Sequence, residues 1–579
     1  MSDPAELIKP GESRDGNGDG TRDGRGLARR RFLQLAGSTM IGGVALSILN
    51  ACSSSTTTRS VTVGTTSPTA DSSAATATGT QSSTTIPGSS AAAATGTQSS
   101  TTISGSSAAT VPGTQPAATT ATTGQPVVVD GTLPIPPILI PEAQGATKVF
   151  RLTAQKGQSQ FVAGKTTATY GFNGNYLGPT LRAGLGDRVL IHVTNNLGET
   201  TTVHWHGMHL PAAMDGGPHQ TVADNTTWTP QFSIHQPAAT LWYHPHMMGQ
   251  TLRQVGMGLT GLFILDDTDP AQSELPHAYG IDDIPLIIQA KTFDANGQFN
   301  LNGGGGGGGR GGGGATTTLV NGAISPAINT PASRLRFRLL NASSEEFYNI
   351  GFAGGQSFYQ VASDGGLLTA PVALTRLQLA PAERAEIVFD VDPATPMMLQ
   401  SFNGNAGGRG GVTFRTGTLL TINPTQTTAV PTALPATLAA IERLTPASAA
   451  QSRQFVLGGD DQNPTINGQA MTTTAEMMDM TNVIQVKLDT TEIWNVINRS
   501  NDTHAFHIHD IQFQILQRNG VPPAANESGL KDTVVVHPAE TVLLIMRFTD
   551  YADPNTPYMY HCHLLNHEDN GMMGQFVVV

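Results

Sequence analysis

The carboxyl-terminal run of the chain carries His561, Cys562, His563, His567 and Met572 close together. A thiolate, imidazoles at fixed offsets and a later thioether form the donor set of a blue-copper electron-transfer site, in which the axial sulfur is long and weak. Zinc rarely takes methionine. In an extended strand side chains alternate faces, so Cys562 must point away from both of its neighbours. One face would hold a copper through Cys562, while the other offers His561 and His563 to different metal ions. The backbone between them is a covalent wire.

Three further groups complete the set: His204 and His206 in HWHG, His244 and His246 in WYHPHMMG, and His504, His507 and His509 in HAFHIHD. An i, i+2 pair on a strand turns both rings to one side, so they can converge on a common point without a bend. Any single HxH would be weak evidence, because two strand histidines can simply face solvent. Ten of the sixteen histidines fall in the four groups, however, and the solvent reading then needs independent coincidences. His192 alternates with Arg188 and Thr194 on a polar strand face. His209, His219, His235, His277 and His537 lack a second ligand at a suitable spacing and read as hydrogen-bonded structural residues.

The elements that must position these residues read as strands. RVLIHVTN at 188–195 places Val189, Ile191 and Val193 on one face; LRFRLLN at 335–341 and ERAEIVFDV at 383–391 follow in a second block, and EIWNVIN, FQIL and QFVVV in a third. With 579 residues, 65 glycines and 36 prolines, short strands joined by turns suggest antiparallel sandwiches in several domains. No long amphipathic helical run competes. Two histidine groups lie in the first block, two in the third and none in the second. A cluster fed by both terminal blocks would lie at their interface, with the middle block as a spacer.

Charged residues are 13% of the chain and the formal net charge is −12, which disfavours nucleic acid as a partner. The only cysteines are Cys52 and Cys562. Arg29, Arg30, Arg31, Phe32 and Leu33 precede a modest apolar run from Leu35 to Leu49, a pattern that resembles a twin-arginine export signal. The run is too short and too rich in glycine and serine for a transmembrane helix. Leu49, Asn50, Ala51 and Cys52 resemble a lipoprotein cleavage box, with an ordinary signal and an incidental cysteine as the other reading. If Cys52 is lipidated, no disulfide forms within the chain, and the fold rests on packing and metal. From Ser53 to about Gln125 the composition is serine, threonine, alanine and glycine, with GTQ recurring at Gly79, Gly96 and Gly113. Such a segment buries too little apolar surface to offset its ordering entropy and reads as a disordered tether. The run from Gly303 to Gly314, broken only by Arg310, has no following lysine with serine or threonine and reads as a flexible surface loop rather than a phosphate cradle.

HWHG, HPH, HxxHxH and HCHxxxHxxxxM in this order resemble the multicopper oxidases, over roughly the last four hundred and fifty residues. The likeness is nearest to the bacterial laccase-like and cuprous-oxidase branch, in WYHPHMMGQTLRQVGMGLTGLF and HCHLLNHEDNGMMGQF. It implies an all-β chain of three cupredoxin-like Greek-key β-sandwich domains at 127–268, 269–435 and 436–579, preceded by the signal (1–52) and the linker (53–126). It implies four copper ions, one type 1, one type 2 and two type 3. Carried over residue by residue, His504, Cys562 and His567 match the type 1 ligands with Met572 axial, and His204 and His507 match type 2. His206, His244, His246, His509, His561 and His563 match the type 3 pair. Asp215 in MDGGPHQ and Glu568 after His567 match acidic positions that assist the oxygen site. A solvated turn aspartate and a surface glutamate are the bland alternatives.

The implied activity is laccase-like: a phenol, aromatic amine, Cu(I) or Fe(II) gives single electrons at the type 1 copper, and dioxygen is reduced to water at the other three. An axial Met572 implies a lower potential than leucine or phenylalanine there. The expected protein is an exported monomer, touching the membrane only through a lipid on Cys52. Cuprous oxidation for copper tolerance is a second reading, since Met471, Met477, Met478 and Met480 form a thioether-rich patch with Asp479 among them; core filling is the other reading of these methionines. Against it, the cuprous-oxidase branch carries an acidic residue four before the first type 1 histidine and a methionine two before it, where this chain has Ser500 and Asp502. A non-catalytic copper carrier would need only the type 1 set, and a two-domain nitrite reductase lacks an interdomain trinuclear set.

Overall fold

The computed structural model describes residues 127–128, 131–301, 316–404, 411–426 and 432–579. The signal, the Cys52 box, the linker and the Gly303–Gly314 loop lie outside the described residues. Six sheets pair into three β-sandwiches. The first has a seven-stranded sheet around Thr147–Gln160 and Arg188–Asn196, packed on a four-stranded sheet that ends in His204–His206. The second packs seven strands against five, and the third packs five against five. The fold is thus all-β and cupredoxin-like, as expected. Among the described residues helices are short, and no helix is long and apolar enough to cross a membrane.

The alternation read from the sequence sets each core. Val189, Ile191 and Val193 are fully buried in the first core, with Phe150, Leu152 and Phe263. Leu335, Phe337 and Leu339 line the second with Ile387 and Phe389. Trp494 anchors the third, with ring centroids 4.4 Å from Phe455, 5.7 Å from Tyr560 and 5.6 Å from Phe576. Each such aromatic pair adds about 0.5–1.5 kcal/mol beyond area burial, and together they fix the strand Tyr558–Cys562 from one side.

One polar face is not solvated. Arg336 and Arg338, which alternate with the apolar residues of Arg334–Asn341, are buried and pair with Glu386 and Asp283. Thr240 of the first sandwich donates to Glu386 Oε1 and accepts from Arg338 Nη1. Interdomain burial, absent from any local pattern, accounts for these arginines. The amino-terminal edge also crosses between sandwiches: Val127–Val128 pairs with Ser159 and Gln160, whereas Leu133 is buried in the second core and its N–H donates to Ala327 O.

Candidate metal centre

Strand register assembles the histidines. His204 lies opposite His244 and His206 opposite Trp242 in the first sandwich; His507 lies opposite His561 and Phe506 opposite Cys562 in the third. In both HWH and HCH the central residue turns inward. Trp205 enters the first core and Cys562 the third, so the flanking rings face out of their sandwiches toward each other. The rings of His204 and His509, from different sandwiches, stack with centroids 3.8 Å apart, and His206 and His507 stack at 3.7 Å. These six histidines, and His246 and His563 beside them, are all buried.

Among the cluster rings, all but His246 and His563 have the outer nitrogen hydrogen-bonded to protein. His204 Nδ1 donates to Asp215 O at 3.0 Å, His244 Nδ1 to Pro245 O at 2.8 Å, His507 Nδ1 to Asp532 O at 2.9 Å and His561 Nδ1 to Cys562 O at 3.2 Å. His509 Nδ1 meets Asp215 Oδ2 at 2.7 Å, and His246 Nδ1 lies 3.3 Å from Glu568 Oε1. The inner nitrogens converge. His246 Nε2 is 3.1 Å from His561 Nε2, which is 3.2 Å from His509 Nε2, and His244 Nε2 is 3.4 Å from His206 Nδ1. His204 Nε2, His507 Nε2 and both nitrogens of His563 are buried without a hydrogen-bond partner among the described residues.

Facing imidazole lone pairs repel unless a proton or a cation lies between them. Burial, reinforced by the neighbouring rings, holds His206, His244, His507 and His509 well below the ordinary imidazole value and brings His246 and His563 down to about 3. Protons are therefore disfavoured, and metal cations are the partners that fit. Ligand atoms within 4.8 Å of one another group as His246, His509 and His561, as His204, His206 and His244, and as His204, His507 and His509.

A second group lies inside the third sandwich. Cys562 Sγ is 3.4 Å from His504 Nδ1 and 3.6 Å from His567 Nδ1, and the two nitrogens are 3.3 Å apart. Burial pushes the Cys562 thiol up to about 12, so a cation is needed to hold it as thiolate. One thiolate with two imidazoles suits copper. Met572 is fully buried in the same core, and its carbonyl accepts from Cys562 N at 3.0 Å. The outer nitrogens differ. His504 Nε2 meets buried Ser500 Oγ at 2.7 Å, whereas His567 Nε2 meets Asp461 Oδ1 at 3.2 Å, on a side chain that is 64% exposed.

The short helix Leu565–Asp569 resolves the closing motif. Successive helical residues project about 100° apart, so His567 turns to Cys562 while Glu568 reaches the histidine cluster. Glu568 is fully buried, with Oε2 3.3 Å from His561 Nδ1. Asp569 accepts from the N–H groups of Thr251 and Leu252 at 2.9 and 3.0 Å, tying this helix to Thr251–Met257 just after His246. Asp215 and Glu568 are thus buried against cluster rings, not solvated. Sequence reasoning missed Asp532, Arg384 and Asp461. The charged pair Lys531–Asp532 ahead of the apolar VVV was the one local sign of the first. His192, His209, His219, His277 and His537 make hydrogen bonds with Thr229, Asp510, Met477, Leu275 and Thr503, as structural residues do.

Comparison with known proteins agrees. Family models described as multicopper oxidase match residues 153–270 and 445–579. A multicopper oxidase of Staphylococcus aureus is 36% identical over 432 residues, covering 74% of this chain and 88% of that one. The cell division protein FtsP of Sodalis glossinidius is 35% identical over 459 residues, covering 77% and 92%. The crystal structure of a laccase from Pediococcus acidilactici superposes with a TM-score of 0.70 at 32% identity, covering 79% of this chain and 95% of that one. With a buried thiolate and imidazole set suited to copper, the chain belongs to the multicopper oxidase family and is an oxidoreductase.

Proposed function

We propose that the chain is a laccase-like oxidase that takes single electrons from a phenol, an aromatic amine or a metal ion and delivers four of them to dioxygen, giving water. His504, Cys562 and His567, together with Met572, would hold the type 1 copper. His204 and His507 hold type 2, and His206, His244, His246, His509, His561 and His563 hold the type 3 pair, making four coppers. Copper supplies one-electron steps with little rearrangement, because thiolate favours the reduced ion and imidazole tolerates both states. The chain's own residues do the rest. Cys562 and its peptide neighbours link the two groups, and Asp215 and Glu568 fix ring orientation and stand ready to pass protons. The observation that carries the reading is that the strand places Cys562 in one sandwich core and His561 and His563 in the interdomain cluster.

Oxygen uptake measured with Cu(I), Fe(II) and a methoxyphenol tests the donor. A dedicated cuprous oxidase gains little support, because Met477 is 3% exposed and fills the core, leaving Met478, 56% exposed, as the one strongly exposed thioether of its patch. Ser500 bonds to His504 where a carboxylate was expected for that branch. A carrier without turnover would have no use for eight further buried histidines. The reading extends to an exported monomer, sent through the twin-arginine route and lipidated at Cys52, with domains divided near residues 268 and 435.

A further inference from the structure

The middle sandwich contributes no ring to the histidine cluster, yet one of its side chains reaches the cluster's edge. Arg384, at the start of Arg384–Asp390, is fully buried and uses all five of its N–H donors. Nη1 donates to Asp532 Oδ1 at 2.8 Å and to Ala382 O at 2.9 Å; Nη2 donates to Asp532 Oδ2 at 2.5 Å and to Asp364 O at 3.1 Å; Nε donates to Thr240 O at 3.1 Å. The fork therefore joins all three sandwiches. Asp532 in turn meets two cluster rings. Its Oδ1 accepts from His206 Nε2 at 3.1 Å, and its backbone carbonyl accepts from His507 Nδ1 at 2.9 Å. With the proton on Nε2, His206 turns the lone pair of Nδ1 toward His244.

Gly207 gives an independent sign that the space beside His206 is kept for this pair. A Cβ at this position, where φ is +84°, would stand 2.7 Å from both Arg384 Nη2 and Asp532 Oδ2. The glycine of HWHG thus leaves room for the guanidinium and carboxylate to close against the histidine strand. Lys531 braces the same region, donating to Asp364 Oδ2 at 2.8 Å and lying 3.1 Å from Glu383 Oε1.

We infer that Arg384 is a positioning residue for the copper cluster: by clamping Asp532 it fixes the tautomer of His206 and the seat of His507, so the middle sandwich controls how tightly copper is held there. This rests on the reading of His206 and His507 as copper ligands. Carboxylates behind metal-binding histidines change metal affinity or activity by roughly 10- to 100-fold when altered.

The test compares full-length wild type with Arg384→Lys, which keeps the charge and loses the fork, and with Asp532→Asn, which keeps the volume. Each is titrated with copper while blue absorption, the signature of the Cys562 centre, is recorded beside total bound copper. The expected result is an unchanged blue band and cluster filling that needs roughly 10- to 100-fold more free copper. Wild-type filling in both variants overturns the inference. Loss of the blue band together with cluster metal in both also overturns it, because the pair would then be a general strut. His206→Ala in parallel separates the two layers: if it loses no copper, the ligand reading itself fails, and this inference with it.

Discussion

His567 and Asp461 form the outward edge of the sulfur-ligated group, with Nε2 3.2 Å from Oδ1. The other ring, His504, ends on buried Ser500. On the proposed function this exposed edge is where a donor would approach, and the Asp461 carboxylate would face it. Asp461→Asn should lower kcat/KM for Fe(II) about 10-fold, the size of a lost charged contact, and change a neutral phenol much less. Steady-state oxygen uptake with both donors checks this; equal losses would remove Asp461 from donor selection.

Cys562→Ser should abolish the blue absorption and turnover while the interdomain histidines still bind copper. Retained blue colour would refute the thiolate assignment. His206→Ala should do the reverse, sparing the colour and stopping oxygen reduction, because its ring belongs to the cluster alone.

Glu568→Gln places an amide N–H₂ against either His246 Nδ1 or His561 Nδ1, each 3.3 Å from a carboxylate oxygen. Donor would face donor. Turnover should fall roughly 10- to 100-fold with the blue band intact. Visible absorption and oxygen consumption on one preparation decide it, and unchanged turnover would show that Glu568 is dispensable.

Lys291 gives a pH signature away from copper. It is buried, donates to Gly256 O at 2.7 Å and lies 5.3 Å from the Phe299 ring centre; burial brings its amine down to about 7 from 10.5. A lysine depressed in the folded state contributes stability that is fully present above its unfolded value and is lost as pH falls toward the folded one. Between pH 10 and 8 the wild type should therefore lose about 1.4 kcal/mol per pH unit relative to Lys291→Met. Denaturant midpoints at the two pH values measure this, and parallel slopes would contradict it.

The converging histidines and Cys562 were legible because strand alternation is local: HWH and HCH each carry their own geometry in three residues. Asp215 and Glu568 stood close enough to those motifs to be found by likeness. Arg384, 148 residues from Asp532, and Asp461, 106 from His567, were not, because each acquires its role only when sandwiches or distant loops close. The same holds for Arg336 and Arg338, whose burial depends on Glu386 and the first sandwich, both distant in sequence. The middle sandwich, a spacer by its lack of histidine motifs, proved to reach the cluster through charge.

The most direct measurement is the copper-to-chain ratio of the purified, metal-loaded protein, taken beside that of Cys562→Ser. Four coppers joined by the Cys562 strand predict four per chain in the wild type and three in the variant, with the blue band gone only from the latter. A ratio of one in the wild type and none in the variant would contradict the interdomain cluster.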